Sequence, residues 1–274
     1  MAESRIDRRF AELGKAGRTG LIPFVTAGDP FPKSTVAIMH ALVESGADLI
    51  ELGMPFSDPM ADGPTIQHAS ERALAKGVGL VDILGWVRDF RSTDNTTPIV
   101  LMGYLNPIEM FGYPAFAAKA LEVGVDGVLI VDCPVEESAT LEDLRAAGLQ
   151  QIHLIAPTTA DARLAAIREQ AQGFLYYVSF AGITGANKLD SYAVRQRVEL
   201  IKFGSHVPVA VGFGVRDAAM AAMIAQFADA VVIGSALVER LADSADGSDA
   251  CNRAAGFLAP IRAALDACLA SNAA

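Results

Sequence analysis

Eight short apolar runs recur along the chain, with helical patterns between them. They read LIPFVTAG, ADLIELG, PIVLMGY, DGVLIVD, QIHLIAP, GFLYYVS, PVAVGFG and DAVVIGS, from residues 21–28 to residues 229–235. Their continuous hydrophobicity is typical of strands buried on both faces, and the alternation of strand and helix indicates parallel pairing through right-handed crossovers. Eight such units close into a barrel. The sequence therefore predicts an α/β fold, a single (β/α)8 TIM barrel.

One barrel accounts for the whole chain. The 274 residues are 52% hydrophobic and 20% charged, which suits a barrel of about 250 residues. No low-complexity linker or change in composition divides them, so residues 1–274 are predicted to form one catalytic domain. The competing fold is an open doubly wound sheet. Its usual G-x-G-x-x-G pattern is missing from FVTAGDPFPKS, residues 24–34, where the first strand ends.

Both ends of the chain are expected to add helices to the barrel. Ile6, Phe10 and Leu13 share one helical face, which predicts a short amphipathic N-terminal helix that covers the core. That segment mixes both charges and lacks the apolar centre of a signal peptide. Residues 236–274 are long enough for two extra C-terminal helices. The most apolar long stretch, residues 218–241, is interrupted by polar residues, so no membrane segment is predicted.

The charge and the cysteines restrict the setting and the partners. A net charge of −10 argues against nucleic acid or an anionic membrane as the partner, and an anionic substrate would need a local trap. Cys133, Cys251 and Cys268 are too few and too scattered for a disulfide framework or a tetrahedral zinc site. We therefore expect a reducing, cytoplasmic location.

The segment ELGMPFSDPMADGP, residues 51–64, holds carboxylates on a track stiffened by three prolines. Active sites of such barrels lie at the carboxyl ends of the strands. If Ile50 and Leu52 face the helices, Glu51 faces the barrel interior near its mouth. A buried acid without a partner is rare, so a functional role is favoured over a structural ion pair.

Asp62 follows in a loop that must arch over the same mouth. The Asp-Gly-Pro sequence predicts a turn that starts a helix at Pro64, so Asp62 could equally be a helix N-cap. Asp58, beside a proline, could be a surface turn residue. Together these acids suit proton transfer at one centre and charge stabilisation at another.

Glycines at the ends of the seventh and eighth runs predict a phosphate site. Gly212 and Gly214 end the seventh run, just after the predicted strand, and Gly234 and Ser235 stand where the eighth strand turns into a helix. Backbone N–H groups at these two positions form the phosphate cradle common among such barrels. This cradle needs no basic residue, which suits an acidic protein.

Other strand ends carry flat and polar side chains, which predict a pocket for a planar ring. These residues are Phe24, Thr26, Tyr104, Asn106 and Tyr176. Taken singly, each is also compatible with core packing. The glycine-containing segment SFAGITGANKLDS, residues 179–191, is long enough to close over a ligand as a lid.

Two other barrel chemistries are disfavoured. A Schiff-base aldolase needs a desolvated lysine inside the barrel, but Lys188 falls in the lid segment and the others fall in or beside helices. A metal-dependent enzyme needs several converging ligands, yet only His153 among the four histidines lies in a predicted strand. A structural role is expected for His153, and an inert thiol for Cys133.

Several of these segments resemble the tryptophan synthase alpha subunit family. ELGMPFSDPMADGPTIQ, residues 51–67, is closely similar to its signature segment, and IPFVTAGDP, GITG, GFGV and IGSALV fall where the family has other motifs. The similarity spans essentially the whole chain. It implies a (β/α)8 barrel that cleaves indole-3-glycerol phosphate to indole and D-glyceraldehyde 3-phosphate, with no metal or organic cofactor in this chain. It also implies a beta subunit that carries pyridoxal phosphate and receives indole through a tunnel in an α2β2 complex.

The resemblance also implies roles for residues at matching positions. Glu51 becomes the general acid/base that moves a proton between the indole carbon and the glycerol hydroxyl, and Asp62 the acceptor of the indole N–H. The loop with Asp58 meets the beta subunit. Phe180 stands where some members carry a basic residue, so an ionic contact of the lid is expected to be missing. The implied ligand contacts are Phe24, Tyr104 and Tyr176 on the indole, Thr184 joining the lid to Asp62, and Gly185, Gly214, Gly234 and Ser235 on the phosphate.

Two alternatives remain open from the sequence. One is an isomerase or epimerase of a sugar phosphate that uses Glu51 as its base and releases no aromatic product. The other is a barrel without catalytic activity that binds the substrate and activates a partner subunit. Intact Glu51 and Asp62 count against the second alternative.

Overall fold

Nine parallel strands form one sheet in the computed structural model, which describes residues 4–178, 188–212 and 214–272. In chain order they are β1 Gly20–Thr26, β2 Ile50–Gly53, β3 Ile99–Gly103, β4 Gly127–Ile130, β5 Gln150–Gln151, β6 His153–Ile155, β7 Leu175–Val178, β8 Val209–Gly212 and β9 Ala230–Ile233. Their spatial order is β5-β4-β3-β2-β1-β9-β8-β7-β6. Each strand overlaps one of the eight predicted runs, and two of them overlap the fifth.

The fifth run closes the barrel because it contains two short strands, which pair with different neighbouring strands. β5 pairs with β4, and β6 pairs with β7. Between them the N–H of Ile152 donates to the carbonyl of Val128 at 2.9 Å, which continues the pairing with β4. The nine strands therefore occupy eight positions around a nearly closed barrel, and the predicted (β/α)8 TIM barrel is confirmed.

Helices surround the strands. They are α1 Arg5–Ala16, α2 Thr35–Glu44, α3 Pro64–Leu74, α4 Leu80–Arg91, α5 Leu105–Phe111, α6 Tyr113–Val123, α7 Glu142–Ala147, α8 Asp161–Gln170, α9 Lys188–Lys202, α10 Ala218–Ala225, α11 Ser235–Ala242 and α12 Gly247–Asn272, with short 3-10 helices at Pro32–Ser34 and Val135–Leu141. The two helices predicted after the eighth run are α11 and α12. Within the described ranges, no helix combines the length and the apolar character needed to cross a membrane.

Helix α1 closes the amino end of the barrel. Ile6, Phe10 and Leu13 are buried against the inward-facing side chains at the starts of the strands, and the rings of Phe10 and Phe174 lie 5.5 Å apart. The predicted N-terminal helix and its buried face are therefore confirmed. Because this end is filled, the carboxyl ends of the strands provide the accessible mouth.

Pairs of neighbouring strands are tied together at the amino end by side chains that bond to backbone. Counted around the barrel, the second, fourth, sixth and eighth strand positions are each preceded by a residue whose side chain accepts a backbone N–H. The N–H belongs to a residue at the start of the strand before it in the chain. These bonds are Asp48 to Leu21, Asp126 to Ile99, Gln172 to Gln151 and Asp229 to Val209, at 2.8–3.1 Å. The repetition fixes the register of the strands below the mouth.

Asp126 is one of these four residues and also forms ion pairs with two arginines. Its carboxylate is bonded to Arg91 at 2.8 Å and to Arg5 at 2.9 Å, and both Asp126 and Arg91 are buried. Asp229 makes the same kind of backbone bond, but its ion-pair partner Lys202 is exposed. The two aspartates therefore separate the effect of the backbone bond from that of a buried charge.

We expect Asp126→Ala to lower the free energy of unfolding by about 3–5 kcal/mol, because it leaves Arg91 buried without its partner. Asp229→Ala should cost about 1–2 kcal/mol, mainly for the unpaired N–H of Val209. Urea denaturation of both variants measures the difference. Equal losses would contradict the role assigned to the buried ion pair.

Candidate active site

Glu51 lies inside the barrel without a hydrogen-bond partner among the described residues. On β2, Ile50 and Leu52 pack in the layer between barrel and helices, and Leu49 packs in the barrel interior, as the alternation predicts. Glu51 is 1% exposed, and neither of its carboxylate oxygens has a hydrogen-bond partner among the described residues. No buried cation among the described residues neutralises Glu51, so these residues do not support the alternative of a structural ion pair.

Burial determines the protonation of Glu51. The loss of water, and to a smaller degree the charge of Asp62, raises the pKa of Glu51 to about 8. The carboxyl group is therefore mostly protonated at neutral pH. A protonated acid in a water-poor site can act as a general acid, and its conjugate base is strong enough to take a proton back.

Asp62 is held over the mouth by bonds to its backbone and to its carboxylate. The Tyr104 hydroxyl donates to Oδ2 of Asp62 at 3.1 Å, and the Gln67 amide donates to its carbonyl at 2.8 Å. Helix α3 begins at Pro64 after the N-cap residue Gly63, and no side chain caps it. Asp62 is therefore not the N-cap that the sequence left as an alternative.

The two carboxylates lie in different surroundings. Burial raises the pKa of Asp62, but the hydrogen bond from Tyr104 acts in the opposite direction. Burial also raises the pKa of Tyr104, which keeps this phenol protonated as a donor. Asp58 is exposed, and its carboxylate accepts from the hydroxyl of Ser57 at 2.6 Å. It lies at the surface of the same loop.

Aromatic rings lie at the mouth, and glycines make room for two of them. A Cβ atom on Gly53 would lie 2.5 Å from the ring of Phe24, and one on Gly212 would lie 2.2 Å from the hydroxyl of Tyr176. The sequence predicts Gly212 just after a strand, as part of the phosphate cradle. The structure instead makes Gly212 the last residue of β8 and places it against Tyr176, so its predicted position in the loop is corrected.

A narrow cavity opens between β1, β2, β3 and α3. Its walls include Phe24, Thr26, Asp62, Ser70, Met102 and Tyr104. The sequence analysis missed Ser70 and Gln67, and also Phe56, whose ring stacks on Tyr104 with 5.2 Å between centroids. Gln67 and Ser70 are three residues apart on α3, so helical spacing after Pro64 was the available signal.

Three of the predicted phosphate residues, Gly214, Gly234 and Ser235, follow β8 and β9, which lie on the other side of β1 from β2. Gly214 has a positive φ of 54°, and Gly234 is the N-cap of α11, whose first residue is the exposed Ser235. The N–H groups of Leu237 and Val238 donate to the carbonyl of Gly234, so those of the first two residues of α11 precede the internal ladder of the helix. Thr184, Gly185 and Phe180, with most of the predicted lid, lie outside the described residues.

Histidine and cysteine do not assemble into a metal site in the part of the chain that the structure describes. There, no group of three or more His, Cys, Asp or Glu side chains is placed to hold an ion. His153 is buried, and burial together with the charge of Arg145 lowers its pKa to about 4. Burial raises the pKa of the Cys133 thiol, which disfavours its reactive thiolate form.

One protein family matches almost the entire chain. The sequence model described as "Tryptophan synthase alpha chain" matches residues 10–263. The tryptophan synthase alpha chain of Xylella fastidiosa (strain M12) is 56% identical over 264 residues, which cover 96% of this chain and 98% of that protein. The one from Ralstonia nicotianae (strain ATCC BAA-1114 / GMI1000) is 57% identical over 265 residues, which cover 96% and 100%.

Solved structures give the same result. The crystal structure of tryptophan synthase subunit alpha from Legionella pneumophila str. Paris superposes with a TM-score of 0.91 at 43% identity, covering 97% of this chain and all of that one. A chain of Mycobacterium tuberculosis tryptophan synthase has a TM-score of 0.85 at 38% identity, covering 96% and 98%. The fold is therefore shared in detail as well as in class.

The raised pKa of Glu51 makes stability depend on pH in a defined direction. The folded chain retains a proton up to about pH 8 that the unfolded chain loses near pH 4.5, so ionisation destabilises the fold as pH rises through this window. Glu51→Gln cannot ionise at this position and is not destabilised in this way. We expect its stability relative to wild type to increase by roughly 1.4 kcal/mol per pH unit within the window.

Urea titrations between pH 4.5 and pH 8.5 test this expectation. Glu71→Gln is the matched control, because it makes the same substitution at an exposed position of α3, away from the barrel interior. A difference between Glu51→Gln and wild type that does not change with pH would contradict the raised pKa of Glu51.

Proposed function

The chain belongs to the tryptophan synthase alpha chain family, and on this basis we propose that it is a carbon–carbon lyase of L-tryptophan biosynthesis. The reaction we propose is the retro-aldol cleavage of indole-3-glycerol phosphate to indole and D-glyceraldehyde 3-phosphate. The observation that carries this proposal is the pair of carboxylates at the mouth. Glu51 is buried, mostly protonated and without a partner in the described part of the chain, whereas Asp62 is fixed by Tyr104.

The reaction needs one proton delivered and one removed. Protonation of the ring carbon that bears the side chain places positive charge on the indole ring. The carbon–carbon bond then breaks, its electron pair returns to the ring, and the hydroxyl on the departing carbon loses its proton as the aldehyde forms. We assign both transfers to Glu51, because its pKa of about 8 lets it start as the acid and finish by taking the hydroxyl proton.

Asp62 has the complementary role. Positive charge on the protonated ring spreads to the ring nitrogen, and a fixed carboxylate beside that N–H stabilises the charge as it develops. The hydrogen bond from Tyr104 and the hold of Gln67 on the backbone restrict Asp62 to one position. The carboxylate therefore need not reorganise during the reaction.

The remaining contacts would bind the two ends of the substrate. Phe24, Tyr104 and Tyr176 offer ring faces to the indole. We propose that backbone N–H groups at Gly214, Gly234 and Ser235 hold the phosphate, helped by Gly185, and that Thr184 links the lid to Asp62. A helix N-terminus favours an anion, which gives an acidic chain a local site for one. No cofactor of this chain is required by these steps.

Indole release from indole-3-glycerol phosphate by the purified chain tests the proposed reaction. Glu51→Gln should reduce turnover at least about 1,000-fold while the substrate still binds, and Asp62→Asn should reduce it about 100-fold, since removing one fixed stabilising group typically costs that much. Glu71→Gln, on exposed α3 surface, should keep wild-type turnover. A folded wild-type chain that binds phosphate but releases no indole would favour the isomerase or the inactive partner.

We also propose a beta subunit as the partner, in a cytoplasmic α2β2 complex in which pyridoxal phosphate belongs to the beta subunit and indole passes to it directly. The relative from Mycobacterium tuberculosis is named tryptophan synthase. In this chain the loop between β2 and α3 carries the exposed Asp58 and the 86% exposed Met60. A protruding methionine beside a carboxylate suits a surface that becomes covered.

Met60→Ser is expected to weaken binding of the beta subunit about tenfold, because the apolar contact of an exposed anchor is lost. Phe203→Ser is the matched control. Phe203 is also 86% exposed but follows α9, before β8, and therefore lies towards the opposite end of the barrel. Surface-immobilised beta subunit measures both affinities. Equal losses for the two variants would argue against docking through this loop.

A further inference from the structure

Thr26 carries a buried hydroxyl group that forms no hydrogen bond within the described structure. It is the last residue of β1, its side chain is 3% exposed, and its Oγ1 has no hydrogen-bond partner among the described residues. The residue lines the same cavity as Asp62. A buried hydroxyl without a partner destabilises the fold, and valine has nearly the same shape without this penalty. A ligand in this cavity could supply the hydrogen-bond partner that the described residues do not give to the Thr26 hydroxyl.

The order of the strands shows which part of a ligand would meet Thr26. β1 lies between β9 and β2, with Pro23 paired to Ile233 and Phe24 paired to Glu51. The phosphate residues of the proposed function follow β8 and β9, and the proton donor stands on β2. The three-carbon chain that joins phosphate to ring must therefore cross the end of β1.

Only one of the inward-facing side chains at that end of β1 can form hydrogen bonds. Phe24 and Thr26 are two residues apart and face the cavity together. The ring of Phe24 packs over Gly53, whereas Thr26, which is paired with Gly53 in register, offers a hydroxyl that can both donate and accept. The crossing chain is the part of the substrate that bears hydroxyl groups.

We propose that Thr26 binds a hydroxyl of the three-carbon chain and thereby orients this chain across β1 towards Glu51. The inference rests on the proposed function and adds a positioning contact to it. Because the contact is made to the chain and not to the ring or the phosphate, it distinguishes ligands that carry chain hydroxyls from those that lack them.

Calorimetric binding tests this contact with two ligands in the Glu51→Gln background, in which the substrate is not consumed. One ligand is indole-3-glycerol phosphate, and the other is the analogue with the same ring, chain length and phosphate but no chain hydroxyls. Thr26→Val should weaken binding of the first about three- to tenfold, the value of one hydrogen bond, and that of the analogue less than about twofold. Thr26→Ser should restore the wild-type ratio.

Thr97→Val is the matched control, since it makes the same substitution at another buried threonine, which precedes β3 and lies outside the cavity. It should keep the wild-type ratio of the two affinities. Thr26→Val should also be at least as stable to urea as the parent, because it removes an unpaired buried group. These two results would assign the loss to a ligand contact at Thr26.

The outcomes that overturn the inference are distinct from those that overturn the proposed function. If the wild-type chain releases indole but Thr26→Val keeps the parent ratio, or Thr97→Val changes the ratio equally, the assignment to Thr26 is wrong. If the wild-type chain releases no indole and its Glu51→Gln variant binds neither ligand, the proposed function fails and the inference fails with it.

Discussion

The burial of Glu51 is the constraint on which the rest of the site depends. A carboxyl group inside a barrel loses its hydration, and here no described residue compensates it. The charged form is therefore unfavourable, and the group keeps its proton near neutral pH. This state requires rigid surroundings, because a flexible mouth would admit water. The parallel ladders on both sides of β2 and the filled amino end below it supply that rigidity.

Stability and function are separated along the barrel axis. At the amino end, side-chain acceptors satisfy the first N–H groups of alternate strands, and ion pairs such as those of Asp126 surround them. At the carboxyl end, Glu51 and Thr26 have no hydrogen-bond partner among the described residues, and glycines replace side chains beneath Phe24 and Tyr176. Bonds from side chains to backbone and ion pairs thus stabilise one end, and the polar groups of Glu51 and Thr26 lie where a ligand can complete them.

The fold was predictable because it follows from local patterns, whereas parts of the site depend on distant residues. Continuous apolar runs predicted the strands, and simple alternation placed Glu51 inside. The bond from Tyr104 to Asp62 joins residues 42 positions apart, so spacing alone could not choose between it and a helix cap. The role of Gly212 depends on the size of Tyr176 on a neighbouring strand. The split fifth strand reflects a change of neighbour, which no single segment encodes.

The proximity of the two carboxylates also bears on the proposed order of proton transfers. The negative charge of Asp62 adds to the effect of burial on the pKa of Glu51 and so favours its protonated form in the free site. In the proposed reaction, the ring becomes positive once Glu51 has given up its proton, and this charge stabilises the new carboxylate. Cleavage then removes the positive charge from the ring. Glu51 is then a buried carboxylate that no described residue neutralises, which is the form that most strongly takes the proton of the departing hydroxyl. The same burial that makes Glu51 an acid at the start therefore makes it a base at the end.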